Sequence, residues 1–395
     1  MRVFKIAAVS AAAVMVLAAC GDAPDEETDT ADTETTAADA DADADTGTDA
    51  DADTATGGDE ADQTAPAAGG DLSDFKACMI SDAGGFDDQS FNQAAHSGLT
   101  AAETSLGIQI ADAESNSDAE FGPNIDAMVQ QDCNFVIGAG FLLEQAIEDA
   151  ANANPETNFG LVDSGFSDAD FNPIELDNGK PILFNTSEAA FLAGYVAAGM
   201  TETDKVATYG GLPIPSVQIF MDGFSDGIDA YNEDNGAAVE LLGWDKESQN
   251  GSFANSFDDQ AQGSSLGEQF ISQGADIIMP VAGPVGLGTA AVAEGTDTKL
   301  IWVDLDGYET TEYGDIILTS VLKEIGTAVE GAIADTADGS FSNEPYVGTL
   351  ENGGVALAPF HDFEDEVPQE LKDKLAEYEQ QIISGELVIE SPNAP

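Results

Sequence analysis

Positive charge is almost missing from this 395-residue chain. Ten lysines and arginines stand against 76 aspartates and glutamates, for a formal net charge of −66. The only arginine is Arg2. Nucleic-acid binding needs a basic footprint, so that class is excluded. A patch for anionic lipid surfaces fails for the same reason. Phosphorylated ligands are disfavoured, because few cations are available to meet them. The acidity itself reads as a solvated surface, suited to salt. Long apolar runs are also scarce, and none beyond the first 20 residues could span a bilayer. Histidine is limited to His96 and His361, and cysteine to Cys20, Cys78 and Cys133.

The first residues read as an export leader. Arg2 and Lys5 give a positive start, and Ile6 to Leu17 form an apolar run too short for a comfortable membrane span. Leu17-Ala18-Ala19-Cys20 then matches a bacterial lipobox, with Gly21 behind it. The expectation is a signal peptide over 1–19, a lipid-modified Cys20, and attachment to the outer face of the cell membrane. Residues 20–74 form an acidic tether rich in Ala, Asp, Thr and Gly. Such a segment cannot bury enough apolar surface to offset its ordering entropy. Its Asp-rich runs lack the glycine and closing glutamate of an EF-hand calcium loop. A flexible chain of this length reaches about 40 Å.

Beyond the tether, strands and helices alternate. Residues 76–82, 107–112, 133–139 and 158–163 read as strands separated by helical stretches, followed by a short strand at 182–185 and an apolar helix from Ala189 to Met200. The pattern then restarts, with strands near 205–210, 238–243, 275–281 and 299–304 and helices near 216–233, 260–273 and 287–294. Two such series predict an α/β protein with two doubly wound parallel-sheet lobes. A further helix is expected over Ser320–Ala337, and a last one over Pro368–Ile383. Cys78 and Cys133 each fall on a predicted strand. If those strands are neighbours a disulfide can join them, and export favours the bridge over two buried free thiols.

The richest segment is Ser81-Asp82-Ala83-Gly84-Gly85-Phe86-Asp87-Asp88-Gln89-Ser90-Phe91-Asn92-Gln93. A strand leads into Asp82, two glycines allow a sharp turn, and a helix follows. Ligands of open α/β sheets bind at the carboxyl ends of strands, and this is such an end. The segment supplies carboxylates, an amide and an aromatic ring, with no metal-type cluster and no nucleophile–base pair. Asp87 and Asp88 also suit a helix start through its dipole. Val281-Ala282-Gly283-Pro284-Val285-Gly286 lacks the lysine of a phosphate loop and offers backbone amides instead. Gly223-Phe224-Ser225-Asp226-Gly227 spells a nucleophile elbow, but no strand immediately precedes it. An envelope serine hydrolase using Ser225 is therefore a weak alternative. Asp304 ends a strand facing the same side, and Lys323 reads either as an exposed helix residue or as a buried donor.

Together these residues resemble the basic membrane protein family, the purine nucleoside receptor type of substrate-binding lipoprotein in ABC transporters. The resemblance rests on the Asp82–Gln93 segment, Phe191-Leu192-Ala193-Gly194-Tyr195, Gly210-Gly211 with Phe220, Gly223 and Phe224, Ser256-Phe257 with Asp259, Gly274-Ala275-Asp276, Val303-Asp304 with Asp306, and Thr319-Ser320-Val321 with Lys323. It implies a type I periplasmic-binding-protein fold with three hinge crossings, no enzymatic activity, no cofactor and no metal. Its implied partners are a nucleoside and a membrane permease. It assigns Asp82 to the purine edge, Phe91 to one base face with Asn92 beside it, and Phe257 to the other face, with Phe253 and Phe220 as competitors. Asp163, Asp304, Lys323 and the Gly283 backbone fall to the ribose. Ala83 departs from the polar residue of some members and leaves the base open. The lobes are expected over 75–184 plus 316–345, and 185–315 plus 346–395. A same-fold binding or sensor lipoprotein for another small polar ligand is the alternative.

Overall fold

The structure is a computed structural model that describes residues 71–167 and 172–395. The leader, Cys20 and the tether up to residue 70 lie outside the described residues. In chain order the first lobe begins with β1 (Lys76–Ser81), α1 (Phe91–Leu106), β2 (Gln109–Ala113), α2 (Asp118–Gln130), β3 (Phe135–Ala139), α3 (Glu144–Ala153) and β4 (Asn158–Val162). A small ribbon of β5 (Phe166–Ser167) and β6 (Pro173–Ile174) precedes β7 (Gly179–Phe184). The second lobe holds α4 (Ser187–Met200), β8 (Lys205–Gly210), α5 (Pro215–Asn235) and β9 (Glu240–Leu242), then a ribbon of β10 (Trp244–Asp245) and β11 (Asn250–Gly251). It continues with α6 (Gln260–Gln273), β12 (Ile277–Val281), α7 (Val285–Ala293), β13 (Lys299–Asp304), α8 (Gly307–Thr310) and β14 (Ile317–Lys323). The chain ends with α9 (Ile325–Ala337), β15 (Tyr346–Gly348), β16 (Val355–Leu357) and α10 (Gln369–Ile383).

Each lobe carries a six-stranded sheet, ordered β2-β1-β3-β4-β7-β15 in the first and β9-β8-β12-β13-β14-β16 in the second. All pairs are parallel except β14 with β16. Within each lobe the first five strands follow the order 2-1-3-4-5. The order reverses between the first and third strands, which opens a crevice at their carboxyl ends. The central strands are apolar because helices cover both faces. β3 and β12 are buried at every residue. Cys78 on β1 and Cys133, just before the neighbouring β3, are joined by a disulfide with Cα atoms 6.0 Å apart.

Two expectations need correction. The stretch from Ser320 does not enter a helix: Ile317–Lys323 is a strand, and α9 starts only at Ile325. Its run of Ile, Leu, Thr and Val pairs with β13 along most of its length and with β16 over Val321–Lys323, and strand pairing outweighs its local helical pattern. The lobe boundaries shift accordingly. Residues 317–323 complete the second sheet, whereas 346–348 pair with β7 in the first. The helix α9 packs against α1, so the chain crosses between lobes after Phe184, after Lys323 and again between Gly348 and Val355.

The helices meet through close backbone contacts. Gly194 on α4 faces the Phe224 carbonyl of α5, and Gly227 on α5 faces the Phe191 carbonyl of α4. A Cβ at either position would overlap that oxygen. These glycines let the two helices touch, and α4 is accordingly buried over most of its surface.

Candidate ligand-binding site

The carboxyl ends of the two sheets face a shared cavity. Its lining includes Asp82, Phe91, Asn92, Asp163, Phe257, Gly283, Asp304 and Lys323, the eight positions singled out for ligand contact in the sequence. Strand order explains the convergence. Asp82 follows β1 and Gly140 follows β3, at the reversal point of the first sheet. Ala282 and Gly283 follow β12 at the matching point of the second. Asp163 and Asp304 end the fourth strand of each sheet, and Phe184 and Lys323 end the fifth. Both fourth-strand aspartates take left-handed backbone geometry, with φ of 67° and 69°. Aspartate tolerates that region better than most residues, and such outliers gather at functional sites.

Lys323 organises the acidic end. It is 3% exposed, and its Nζ donates to Asp163 Oδ2 at 2.5 Å and lies 3.9 Å from Asp304 Oδ1. The same Nζ lies over the rings of Phe91, Phe220 and Phe184, 5.2, 5.3 and 5.4 Å from their centres. A cation over aromatic faces gains from their negative potential. The lobes are bridged here, because Ser90 of the first donates to Asp304 Oδ2 of the second at 2.6 Å. Trp302 Nε1 donates to the Gln89 carbonyl at 3.2 Å, across the same junction. Burial raises the pKa of Asp163 and of Asp304 above the usual carboxylate range, and the Lys323 charge opposes part of that rise.

Asp88 has a different part. Its carboxylate accepts the N–H groups of Ser90, Asn92 and Gln93 at 2.9, 2.8 and 3.0 Å. It therefore caps α1 and fixes Phe91 and Asn92 at the cavity wall. Asp82 is 6% exposed and receives one side-chain hydrogen bond, from Asn92 Nδ2 at 3.3 Å. Burial pushes its carboxyl up to about 8; the Asn92 bond opposes this, and the charges of Asp88 and Asp163 add to it. Asn92 Nδ2 also donates to the Ala83 carbonyl at 3.0 Å, while Asn92 Oδ1 is buried with no partner among the described residues.

The lining also holds residues that sequence reasoning passed over: Phe141 beyond β3, and Ile214, Ser216 and Val217 at the start of α5. The signal for these was the same strand-end rule, since each follows a strand by a few residues. Phe220, a weaker candidate beside Phe257, lines the cavity as well. Phe253 does not; it packs edge-on to Trp244 and pairs with Gly210. Ser225 lies within α5, and the two histidines pair with Asp112 and Asp306 rather than with any serine. Among the described residues, no helix is long and apolar enough to cross a membrane.

The family described as ABC transporter substrate-binding protein, PnrA-like, matches residues 75–392. The ABC transporter nucleoside-binding protein BmpA of Lactococcus lactis subsp. cremoris is 30% identical over 338 residues, covering 80% of this chain and 90% of that protein. Basic membrane protein A1 of Borrelia garinii subsp. bavariensis is 26% identical over 316 residues, covering 80% and 88%. A solved solute-binding protein of an ABC transporter system from Aeropyrum pernix K1 aligns with a TM-score of 0.71 at 24% identity, over 80% of this chain and 94% of that one. The fold is thus that of periplasmic binding proteins. This chain belongs to the PnrA-like family of ABC transporter substrate-binding proteins, which bind and deliver small molecules and are not enzymes.

Proposed function

We propose that the cleft captures a nucleoside, with a purine the favoured base, and that the protein hands it to a membrane permease while tethered through a lipidated Cys20. The observation that carries this reading is one cavity lined by both aromatic rings and a Lys323–Asp163–Asp304 cluster. A nucleoside has the complementary halves: a flat apolar ring and a sugar with vicinal hydroxyls. Base–aromatic stacking is worth roughly 1–3 kcal/mol per base. Carboxylates accept hydrogen bonds from sugar hydroxyls, and an ammonium donates to their oxygens. The name of the Lactococcus relative supports the same ligand class. Asp82, Phe91, Asn92 and Phe257 are assigned to the base, and Asp163, Gly283, Asp304 and Lys323 to the sugar.

The lining holds the acids Asp82, Asp88, Asp163 and Asp304 against the single ammonium of Lys323. A phosphate would meet net repulsion there, so a nucleoside monophosphate is excluded while the nucleoside is admitted. Calorimetric titration with nucleosides, nucleoside monophosphates and free pentoses tests the reading. Nucleosides should bind at least tenfold more tightly than either of the others. Tighter binding of a free sugar, or no heat from any nucleoside, would favour another small polar ligand in the same fold. Tryptic release of a lipid-modified N-terminal peptide tests the anchor at Cys20.

A further inference from the structure

Asp82 is the cleft acid left short of donors. Asp163 has Lys323, Asp304 has Ser90 and Lys323, and Asp88 has three backbone N–H groups. Asp82 has one side-chain bond, the 3.3 Å contact from Asn92, beside a bond from its own backbone N–H, and the charged groups that bear on it are the acids Asp88 and Asp163. Its carboxyl is seated against Gly140, where a Cβ would overlap it, so it lies against backbone rather than water. A buried carboxylate in that setting is favoured as its neutral acid.

We propose, resting on the nucleoside reading, that Asp82 is a neutral acid in the closed and occupied cleft and selects bases that offer one donor beside one acceptor. A carboxylic acid donates through its O–H and accepts through its carbonyl. Adenine matches with its amine and ring nitrogen, and hypoxanthine with its ring N–H and carbonyl. Guanine instead offers two adjacent N–H donors, which suit an ionised carboxylate that accepts twice. In an open, hydrated cleft Asp82 is ionised at neutral pH. Closure over adenosine or inosine therefore takes one proton from solvent onto the Asp82 carboxylate, and opening returns it. The buried, unpaired Asn92 Oδ1 is a second acceptor in reach of this end of the cavity.

The test is titration calorimetry of inosine, adenosine and guanosine in two buffers of different protonation enthalpy, for the native protein and for Asp82→Asn. Inosine and adenosine should bind the native protein with uptake of about one proton near neutral pH. Their affinity should fall about tenfold per pH unit as pH rises toward about 8, the limit for one linked proton. Guanosine should show a flatter profile. Asp82→Asn keeps a donor beside an acceptor but does not titrate, so its pH profile should be flat and its preference should move away from guanosine. Binding of inosine and adenosine without proton uptake overturns the inference, as does an unchanged pH slope in Asp82→Asn. The proton count on the native protein needs no variant. Absence of heat from every nucleoside at every pH instead overturns the nucleoside reading, and the inference with it.

Discussion

Phe91 and Lys323 define opposite demands on a few ångströms of cavity wall, one apolar and one charged, 5.2 Å apart from Nζ to ring centre. Removing the ring removes stacking area but leaves the acids and lysine in place. Phe91→Ala should therefore weaken nucleoside affinity by about tenfold or more, corresponding to about 1.4 kcal/mol. Unchanged affinity by calorimetry would take Phe91 out of the site. Asp82 also affects stability. In the closed cleft its pKa is raised to about 8, above the unfolded value, so the closed folded state holds the proton more tightly. That contribution is fully present below about pH 4 and is lost as pH rises through about 8. The melting temperature of the inosine-saturated protein should drop across this window, and Asp82→Asn should flatten part of the drop; an identical curve in the variant would show that Asp82 titrates normally. The strand-end aspartates were legible because a polar residue closing an apolar run points to the cleft side of the sheet. The structural duty of Asp88 was only half legible: the dipole argument named it, but its three amide bonds depend on a loop in which Gly84, Gly85 and Gln89 all take positive φ. No periodicity reveals such a loop.

At the scale of elements, the alternation of strand and helix was readable from apolar runs and their punctuation. β1, β8, α6 and β13 begin where the pattern places them, within a residue. The stretch from Ile316 to Lys323 was misread at its end because a short apolar run fits a buried strand or a buried helix equally well. Only its partners on both sides decide the matter, and these are distant in sequence. The same holds for the lobe boundaries, which depend on where β14 and β15 pair. The contact of α4 with α5 makes a sharper demand. A methyl group at Gly194 would fall on the Phe224 carbonyl, a backbone atom that cannot turn aside. Gly194→Ala should cost about 1–3 kcal/mol of stability through forced separation of the helices. Thermal melting checks this, and an unaltered midpoint would show that the helices can slide apart freely.

The whole molecule carries its acids almost unopposed, and a net charge of −66 repels itself. Salt screens such repulsion, with a Debye length falling from about 10 Å at 0.1 M to about 3 Å at 1 M. The melting temperature should rise as potassium chloride is raised from low concentration to about 1 M, and a flat or falling curve would show that the surface charge does not limit stability. As a substrate-binding protein of an ABC transporter, the molecule works outside the cytoplasm with a permease as its partner. Its two sheets reach that role by repeating one strand order and aiming both reversal points at the same cavity. The most direct measurement is native mass spectrometry of the protein purified gently from its own cells, followed by release and identification of whatever it carries. A single bound purine nucleoside, lost together with Phe91→Ala and Lys323→Met, is the predicted result. A bound sugar, amino acid or phosphorylated compound in the same cleft would contradict the account.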